Sequence, residues 1–163
     1  MIHELAGDLQ LSGAQAIAHG VAPNDHFDTG LAMSLRQDWP AMYKDFRHFC
    51  HTSNPKPGEV WIWSGAGGHR IACLFTQEPA AHEKAHPGRA TLHNVNVCLR
   101  ELAHAVAREG ITSLALPRLA TGVGGLSWDD VKPLIVSHLG SLKIPVYLYS
   151  TFRKGVKADE PAH

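Results

Sequence analysis

The sequence of 163 residues has no surplus of charge of either sign, because 15 lysines and arginines balance 15 aspartates and glutamates. Such a chain produces no long-range field for a polyanion or an acidic membrane surface, so anion binding has to be local. Its cysteines, Cys50, Cys73 and Cys98, form no C-x-x-C pair. This argues against a disulfide framework and against a cysteine-rich zinc site.

A long apolar run and a leader-like start are also missing. No stretch approaches the ~20 apolar residues of a membrane-spanning helix. The opening segment MIHELAGDLQ lacks a basic region followed by an apolar one. We therefore expect a cytoplasmic, reduced, monomeric protein with no membrane partner.

The remaining pattern is that of one domain, predicted over residues 1–152, followed by a polar, frayed tail at 153–163. Short apolar runs alternate with segments of helical periodicity. We predict strands within residues 14–21, 55–63, 67–75, 112–117 and 144–149, and helices over 30–39, 41–51, 90–109 and 127–140. This alternation predicts an α/β layer fold with a largely parallel sheet.

Two of these helices carry specific signals. Gly110 ends the third helix, and Ser127 with Asp130 predicts a capping box at the start of the fourth. The predicted buried face of the third helix comprises Leu92, Val95, Leu99, Leu102 and Val106.

The loop at residues 76–89 contains His82-Glu83-Lys84-Ala85-His86, which matches the H-E-x-x-H pattern of zinc peptidases. That chemistry needs both histidines one helical turn apart. Pro87 follows His86 directly and disfavours helical geometry there. A solvated polar loop is the favoured interpretation, and a zinc peptidase is a remote alternative.

A glycine-rich turn, Gly122-Val123-Gly124-Gly125, joins a predicted strand to a predicted helix. Such a turn leaves backbone N–H groups free, and the following helix N-terminus adds partial positive charge. A phosphate or diphosphate is a suitable ligand. The alternative is a plain tight turn, since neither a dinucleotide fingerprint nor a Walker loop is present.

A second loop, residues 18–32, also runs from a buried strand to a helix start. In a parallel sheet the two loops open at the same edge, where a diphosphate can be held from both sides. Asp8 can accept a hydrogen bond from an amino group such as that of adenine, or can cap a turn. Tyr149 and Phe152 follow the last strand and suit either base stacking or the core.

Together these segments resemble a macrodomain, the ADP-ribose-binding family. The motif LPRLATGVGGLSWDDVKPLI, at residues 116–135, carries most of the resemblance. The most similar subclass contains the terminal ADP-ribose protein glycohydrolase and the bacterial antitoxin that is a DNA ADP-ribosyl glycohydrolase. The resemblance implies a three-layer α/β/α fold with a mixed, largely parallel sheet. It implies no cofactor and no metal.

The resemblance also implies a ligand site. Its partner would be ADP-ribose, free or attached to protein or nucleic acid. Adenine would lie near Asp8, Tyr149 and Phe152, and the two loops would hold the diphosphate and the distal ribose. The implied ligand-binding residues are Asp8, Leu9, His19, Gly20, Phe27, Thr29, Gly30, Gln77, Leu119, Ala120, Thr121, Gly122, Val123, Gly124, Gly125, Tyr149 and Phe152.

Two departures bear on catalysis. Active members of the subclass use a lysine where this chain has Gln77, and one uses an aspartate where it has Gly124. Lys84, in the enlarged loop, is a candidate replacement for the amine. Alternatively the ligand's own phosphate positions the water, with His19 or Asp28 as general base. We predict a de-ADP-ribosylating glycohydrolase, with a non-catalytic ADP-ribose reader as the alternative.

Overall fold

A computed structural model describes residues 1–162, which form a six-stranded sheet flanked by helices on both faces. The strand order is β1-β6-β5-β2-β4-β3, and only β3 runs antiparallel to its neighbour. The strands are β1 Ile2–Gly7, β2 Ala16–Val21, β3 Val60–Ser64, β4 Arg70–Phe75, β5 Leu114–Pro117 and β6 Val146–Phe152. The helices are α1 Gly30–Asp38, α2 Pro40–Ser53, α3 Leu92–Glu109 and α4 Trp128–Leu139. The predicted fold class is confirmed.

The sheet separates two apolar cores, as strand alternation requires. Ala18 and Leu74 face the core beneath α3 and α4. Ile17 and Cys73 face the opposite core, beneath α1 and α2. Sequential side chains of β2 and β4 therefore serve different layers, and the three-layer architecture follows.

The helix boundaries agree with the sequence signals, with two corrections. Gly110 ends α3 in the left-handed conformation, with a φ of 64°. Leu92, predicted on the buried face, is 39% exposed because it lies in the first turn of the helix. The capping box is also wrong: Ser127 is the N-cap of α4, but its side chain makes no cap hydrogen bond.

The end of the chain is not frayed over its described part. Residues 153–162, the C-terminal strap, turn back onto β1 and the segment that follows it. The amide of Asp8 donates to the carbonyl of Val156 at 2.7 Å, and Ala158 packs against the core on the α1 and α2 side. The sequence-based prediction failed because polar composition does not reveal such tertiary hydrogen bonds.

Strands β2 and β5 are neighbours in the sheet. The chain continues from β2 toward β3 on one side and from β5 toward β6 on the other, so the two strands mark a topological switch point. Their pairing covers Ala16 with Leu114 and Ile17 with Ala115. The loops that follow both strands open at the same edge. As for membrane insertion, residues 1–162 contain no helix long and apolar enough to cross a bilayer.

Candidate functional site

A cavity of about 1260 Å³ opens at the switch point between β2 and β5. Its walls come from the loop after β2, the first turn of α1, one side of α2, the 76–89 loop and the glycine loop after β5. The predicted site residues among its lining are His19, Gly20, Asp28, Thr29, Gly30, Gln77, Lys84, Ala120, Gly122, Val123 and Gly124. The structure thus brings both predicted diphosphate loops to one site.

The glycine loop presents free amides to this cavity. Within residues 1–162 the N–H groups of residues 121–124 donate to no acceptor. Their arrangement is set by two internal hydrogen bonds of 3.0 Å, from the amide of Gly125 to Gly122 and from that of Leu126 to Ala120. Ala120 adopts a φ of 63°, a strained value for a residue with a side chain. Unpaired amides in such a turn form an anion-binding concavity.

Thr121 and Gly125 do not line the cavity. The Thr121 hydroxyl donates to the carbonyl of Arg118 at 2.9 Å. Gly125 has a φ of 78° and packs beside the Arg89 guanidinium. The hydroxyl of Thr121 and the amide of Gly125 therefore contribute hydrogen bonds within the loop.

The helix N-terminus that faces the cavity is that of α1, not that of α4 as the sequence suggested. Gly30, Leu31 and Ala32 line the cavity, and the first turn of α1 has no acidic side chain. The orphan N–H groups and the positive dipole end of α1 therefore lie at the cavity, where they favour an anion. The first turn of α4 lies outside the lining and already carries Asp129 and Asp130.

Asp25, which the sequence did not single out, shapes the loop after β2. Its carboxylate accepts from the amides of Ala22 at 3.0 Å and Phe27 at 2.9 Å. Arg47 of α2 donates to the carbonyl of Asn24 at 2.5 Å. The Pro-Asn-Asp run at residues 23–25 was the available turn signal.

A second cavity of about 480 Å³ lies next to the first. Gly30 and Leu31 line both cavities, so the two adjoin at the start of α1. The predicted adenine-site residues Asp8, Tyr149 and Phe152 line it, as does Leu9, predicted as a ligand-binding residue. Met33, which the sequence reasoning missed, also lines it. A mostly apolar pocket with one carboxylate suits a heterocyclic base with an amino group.

The carboxylate of Asp8 keeps spare acceptor capacity. One oxygen accepts from the amide of Gln10 at 3.1 Å and the other from the amide of Gly155 at 2.9 Å. A carboxylate offers about four lone-pair positions, so a further donor can be accepted. Both alternatives for Asp8, turn cap and donor recognition, are compatible with this geometry.

Two predicted contact residues belong to the core instead. Phe27 is 0% exposed, and its ring packs 4.6 Å from that of Phe46 and 5.5 Å from that of His19. Leu119 is 1% exposed. Neither side chain lines a cavity. Burial therefore explains the apolar character of both side chains.

His19 lines the large cavity but is poorly suited to act as a general base. It is 2% exposed, and burial lowers its pKa to about 4. Its Nε2 lies 3.3 Å from the Sγ of Cys73, whose thiol pKa is raised by burial. Its Nδ1 has no partner within residues 1–162. His19 is therefore a neutral but weakly basic imidazole at physiological pH, and its role as a general base stays a prediction.

This burial predicts a pH dependence of stability. An unfolded histidine titrates near 6.5, whereas folded His19 titrates near 4, so the unfolded state binds more protons between these values. The free energy of unfolding should fall by up to about 3 kcal/mol as pH drops from 7 to 4. Urea unfolding of the wild type and of His19→Gln across this range is the measurement. Identical pH dependence in the two proteins would contradict the assignment.

The H-E-x-x-H segment forms a turn rather than a helix, with the amide of Ala85 donating to the carbonyl of His82 at 2.9 Å. No cluster of three or more metal-ligating side chains occurs in residues 1–162. The zinc-peptidase alternative is wrong because the two histidines lack the helical spacing.

Lys84 from this segment is exposed and lines the large cavity. Asp28, also exposed, lies 3.8 Å from Arg36.

The family model of the Macro domain matches residues 10–135. The chain belongs to the macrodomain family. The macrodomain of Thermus aquaticus DarG superposes with a TM-score of 0.80 at 23% identity, over 92% of this chain and 98% of that chain. This likeness shows the shared fold.

Two curated relatives extend the comparison. This macrodomain is 27% identical over 165 residues to a Thermosipho africanus DNA ADP-ribosyl transferase–DNA ADP-ribosyl glycohydrolase fusion protein. The alignment covers 92% of this chain and 42% of that protein. It is 24% identical over 150 residues to the Thermus aquaticus DNA ADP-ribosyl glycohydrolase, over 91% of this chain and 41% of that protein. The chain therefore spans about two fifths of the length of these two relatives.

Gln77 and Gly124, the two positions where this macrodomain departs from the subclass, are both fixed by contacts with their surroundings. The side-chain amide of Gln77 donates to the carbonyl of Gly88 at 3.0 Å and braces the 76–89 loop. At Gly124 an added Cβ would lie 2.6 Å from the carbonyl oxygen of Ala120 and 2.9 Å from the Cβ of Ala90. The loop conformation therefore excludes an aspartate at position 124.

Gly124→Asp is consequently expected to destabilise the protein without adding activity. The carbonyl of Ala120 is fixed backbone, so the loop must move to admit any side chain. We expect a loss of about 1–3 kcal/mol, as for overpacked sites. Thermal unfolding and hydrolysis assays check this, with Gly122→Asp as the matched control for stability, since nothing lies within 4 Å of an added Cβ there. Unchanged stability with raised activity would be inconsistent with this geometry.

Proposed function

We propose that this macrodomain binds ADP-ribose attached to a macromolecule and hydrolyses the glycosidic link at the distal ribose. The supporting observation is that two segments with free amides, the glycine loop and the first turn of α1, line one cavity. A diphosphate between them would receive N–H donors from both sides. Adenine would occupy the adjoining smaller cavity, and the distal ribose would point toward the 76–89 loop.

In the proposed reaction, water attacks the anomeric carbon, the bond from that carbon to the macromolecule breaks, and the leaving atom takes a proton. The protein contributes position and charge stabilisation, which supply most of the rate in such sites. The ammonium of Lys84 is the candidate proton donor, because it lines the cavity while the position of the subclass lysine is held by Gln77. A ligand phosphate would orient the water.

The reader function is the second candidate, and a specific observation favours it. Gln77 is engaged in bracing its own loop, and Gly124 has no room for a side chain. The lysine–aspartate mechanism of the subclass therefore does not operate here. If Lys84 does not replace it, this site would retain ADP-ribose without cutting the link.

Two assays separate these functions. Calorimetry with ADP-ribose tests binding, and absence of binding would exclude both. Incubation with ADP-ribosylated protein and with ADP-ribosylated DNA, without added metal, tests release of ADP-ribose. Release supports the glycohydrolase and identifies its substrate class, whereas binding without release supports the reader.

A further inference from the structure

The C-terminal strap makes hydrogen bonds to two of the residues that line the smaller cavity, Asp8 and Tyr149. The amide of Gly155 donates to Asp8 at 2.9 Å, and the hydroxyl of Tyr149 donates to Glu160 at 2.6 Å. Asp8 is 8% exposed and Tyr149 is 5% exposed, so neither side chain can reorient freely. The strap therefore contributes one of the hydrogen bonds that hold each group at the cavity.

Glu160 is the anchor of the strap. Its carboxylate accepts three hydrogen bonds from different parts of the chain: the Ser12 hydroxyl at 2.6 Å, the Gly13 amide at 2.8 Å and the Tyr149 hydroxyl at 2.6 Å. The Tyr147 hydroxyl donates to the carbonyl of Pro161 beside it. Charge-assisted hydrogen bonds of this kind are the stronger class in proteins.

The backbone of the strap is matched to this position. Gly155 has a φ of 74°, which lets its amide turn toward Asp8. An added Cβ on Gly7 would lie 2.9 Å from the Cβ of Ala158 and 3.0 Å from the carbonyl oxygen of Val156. Only glycine at position 7 permits this close approach. The close contact between the strap and β1 thus depends on a glycine in each segment, Gly155 and Gly7.

We propose that Glu160 is a positioning residue for base recognition, acting through the strap on Asp8 and Tyr149. This inference rests on the proposed function, because the ligand is the adenine end of ADP-ribose. With Glu160 in place, Asp8 is held to accept a hydrogen bond from the adenine amino group. Without it, the strap loosens, the Gly155 amide leaves Asp8, and the site loses its preference for an amino-bearing base.

The test compares two ligands, ADP-ribose and its hypoxanthine analogue, in which a carbonyl replaces the adenine amino group. Wild-type protein is expected to favour ADP-ribose. In Glu160→Ala that affinity ratio should fall roughly tenfold, the size of one lost hydrogen bond to a charged group. A general loss of structure would weaken both ligands alike and leave the ratio unchanged. Asp159→Ala is the matched control, since Asp159 is exposed and has no hydrogen-bond partner within residues 1–162.

An unchanged ratio in folded Glu160→Ala overturns the proposal. If that variant fails to fold, Glu160→Gln keeps the volume and one carbonyl acceptor, and should show a smaller fall in the same direction. An unchanged ratio there also overturns it. Failure of the proposed function has a different signature, because the wild type would then bind neither ligand.

Discussion

Gly122→Glu is expected to weaken ADP-ribose binding by at least about a hundredfold, equivalent to about 3 kcal/mol. Gly122 lines the large cavity in the loop whose amides are free. A carboxylate there would occupy the anion position and repel the diphosphate, and like charges in contact cost several kcal/mol. Calorimetric titration with ADP-ribose is the measurement.

The fold should tolerate this change. No atom lies within 4 Å of an added Cβ at Gly122, and the residue is exposed. The melting temperature should therefore stay near that of the wild type. Gly122→Gln, equal in size but uncharged, separates bulk from repulsion and should lose clearly less affinity. Wild-type affinity in a folded Gly122→Glu protein would place the diphosphate elsewhere.

Lys84→Ala is expected to lower the hydrolysis rate about a hundredfold or more while changing ADP-ribose affinity only a few fold. Proton transfer by a positioned side chain contributes roughly 10²–10⁴ in rate. Lys84 lines the cavity from the 76–89 loop, whereas the free amides belong to residues 121–124, so its loss leaves those amides in place. Single-turnover release of ADP-ribose, beside calorimetry, gives the two quantities separately.

Lys143→Ala is the matched control for charge removal, because Lys143 is exposed and outside both cavities. It should match the wild type in both assays. Lys84→Arg keeps a cation but not a titratable amine, so it should bind normally and hydrolyse slowly. Full activity in Lys84→Ala would leave the phosphate-positioned water as the catalytic route.

The fold was largely readable from the residues because its signals are local. The short apolar run at residues 14–21 and the glycine after Glu109 act within a few neighbouring residues, and the structure confirms the strand and the helix end that they predict. The capping box failed at Ser127 because a cap also depends on the side-chain rotamer. The two anion loops were predicted because each connects a strand to a helix at the carboxyl edge of the sheet.

The finer site could not be read in this way. Burial decided that His19 stays neutral and that Phe27 belongs to the core, and burial is a property of the packed layers. The space around Gly124 depends on the carbonyl of Ala120 and on Ala90, which the fold brings together. The contacts of Glu160 with Ser12 and Tyr149 join residues that are distant in sequence or separated by a turn.

By itself, the sequence determined the α/β architecture, the macrodomain resemblance and the two facing loops, because periodicity and glycine placement act over short distances. Only the tertiary structure decided which helix N-terminus lines the large cavity, which predicted contacts are buried, and that the end of the chain contacts residues of the smaller cavity. Those outcomes depend on which surfaces meet, and hydrogen bonds between distant residues leave no periodic trace in the chain.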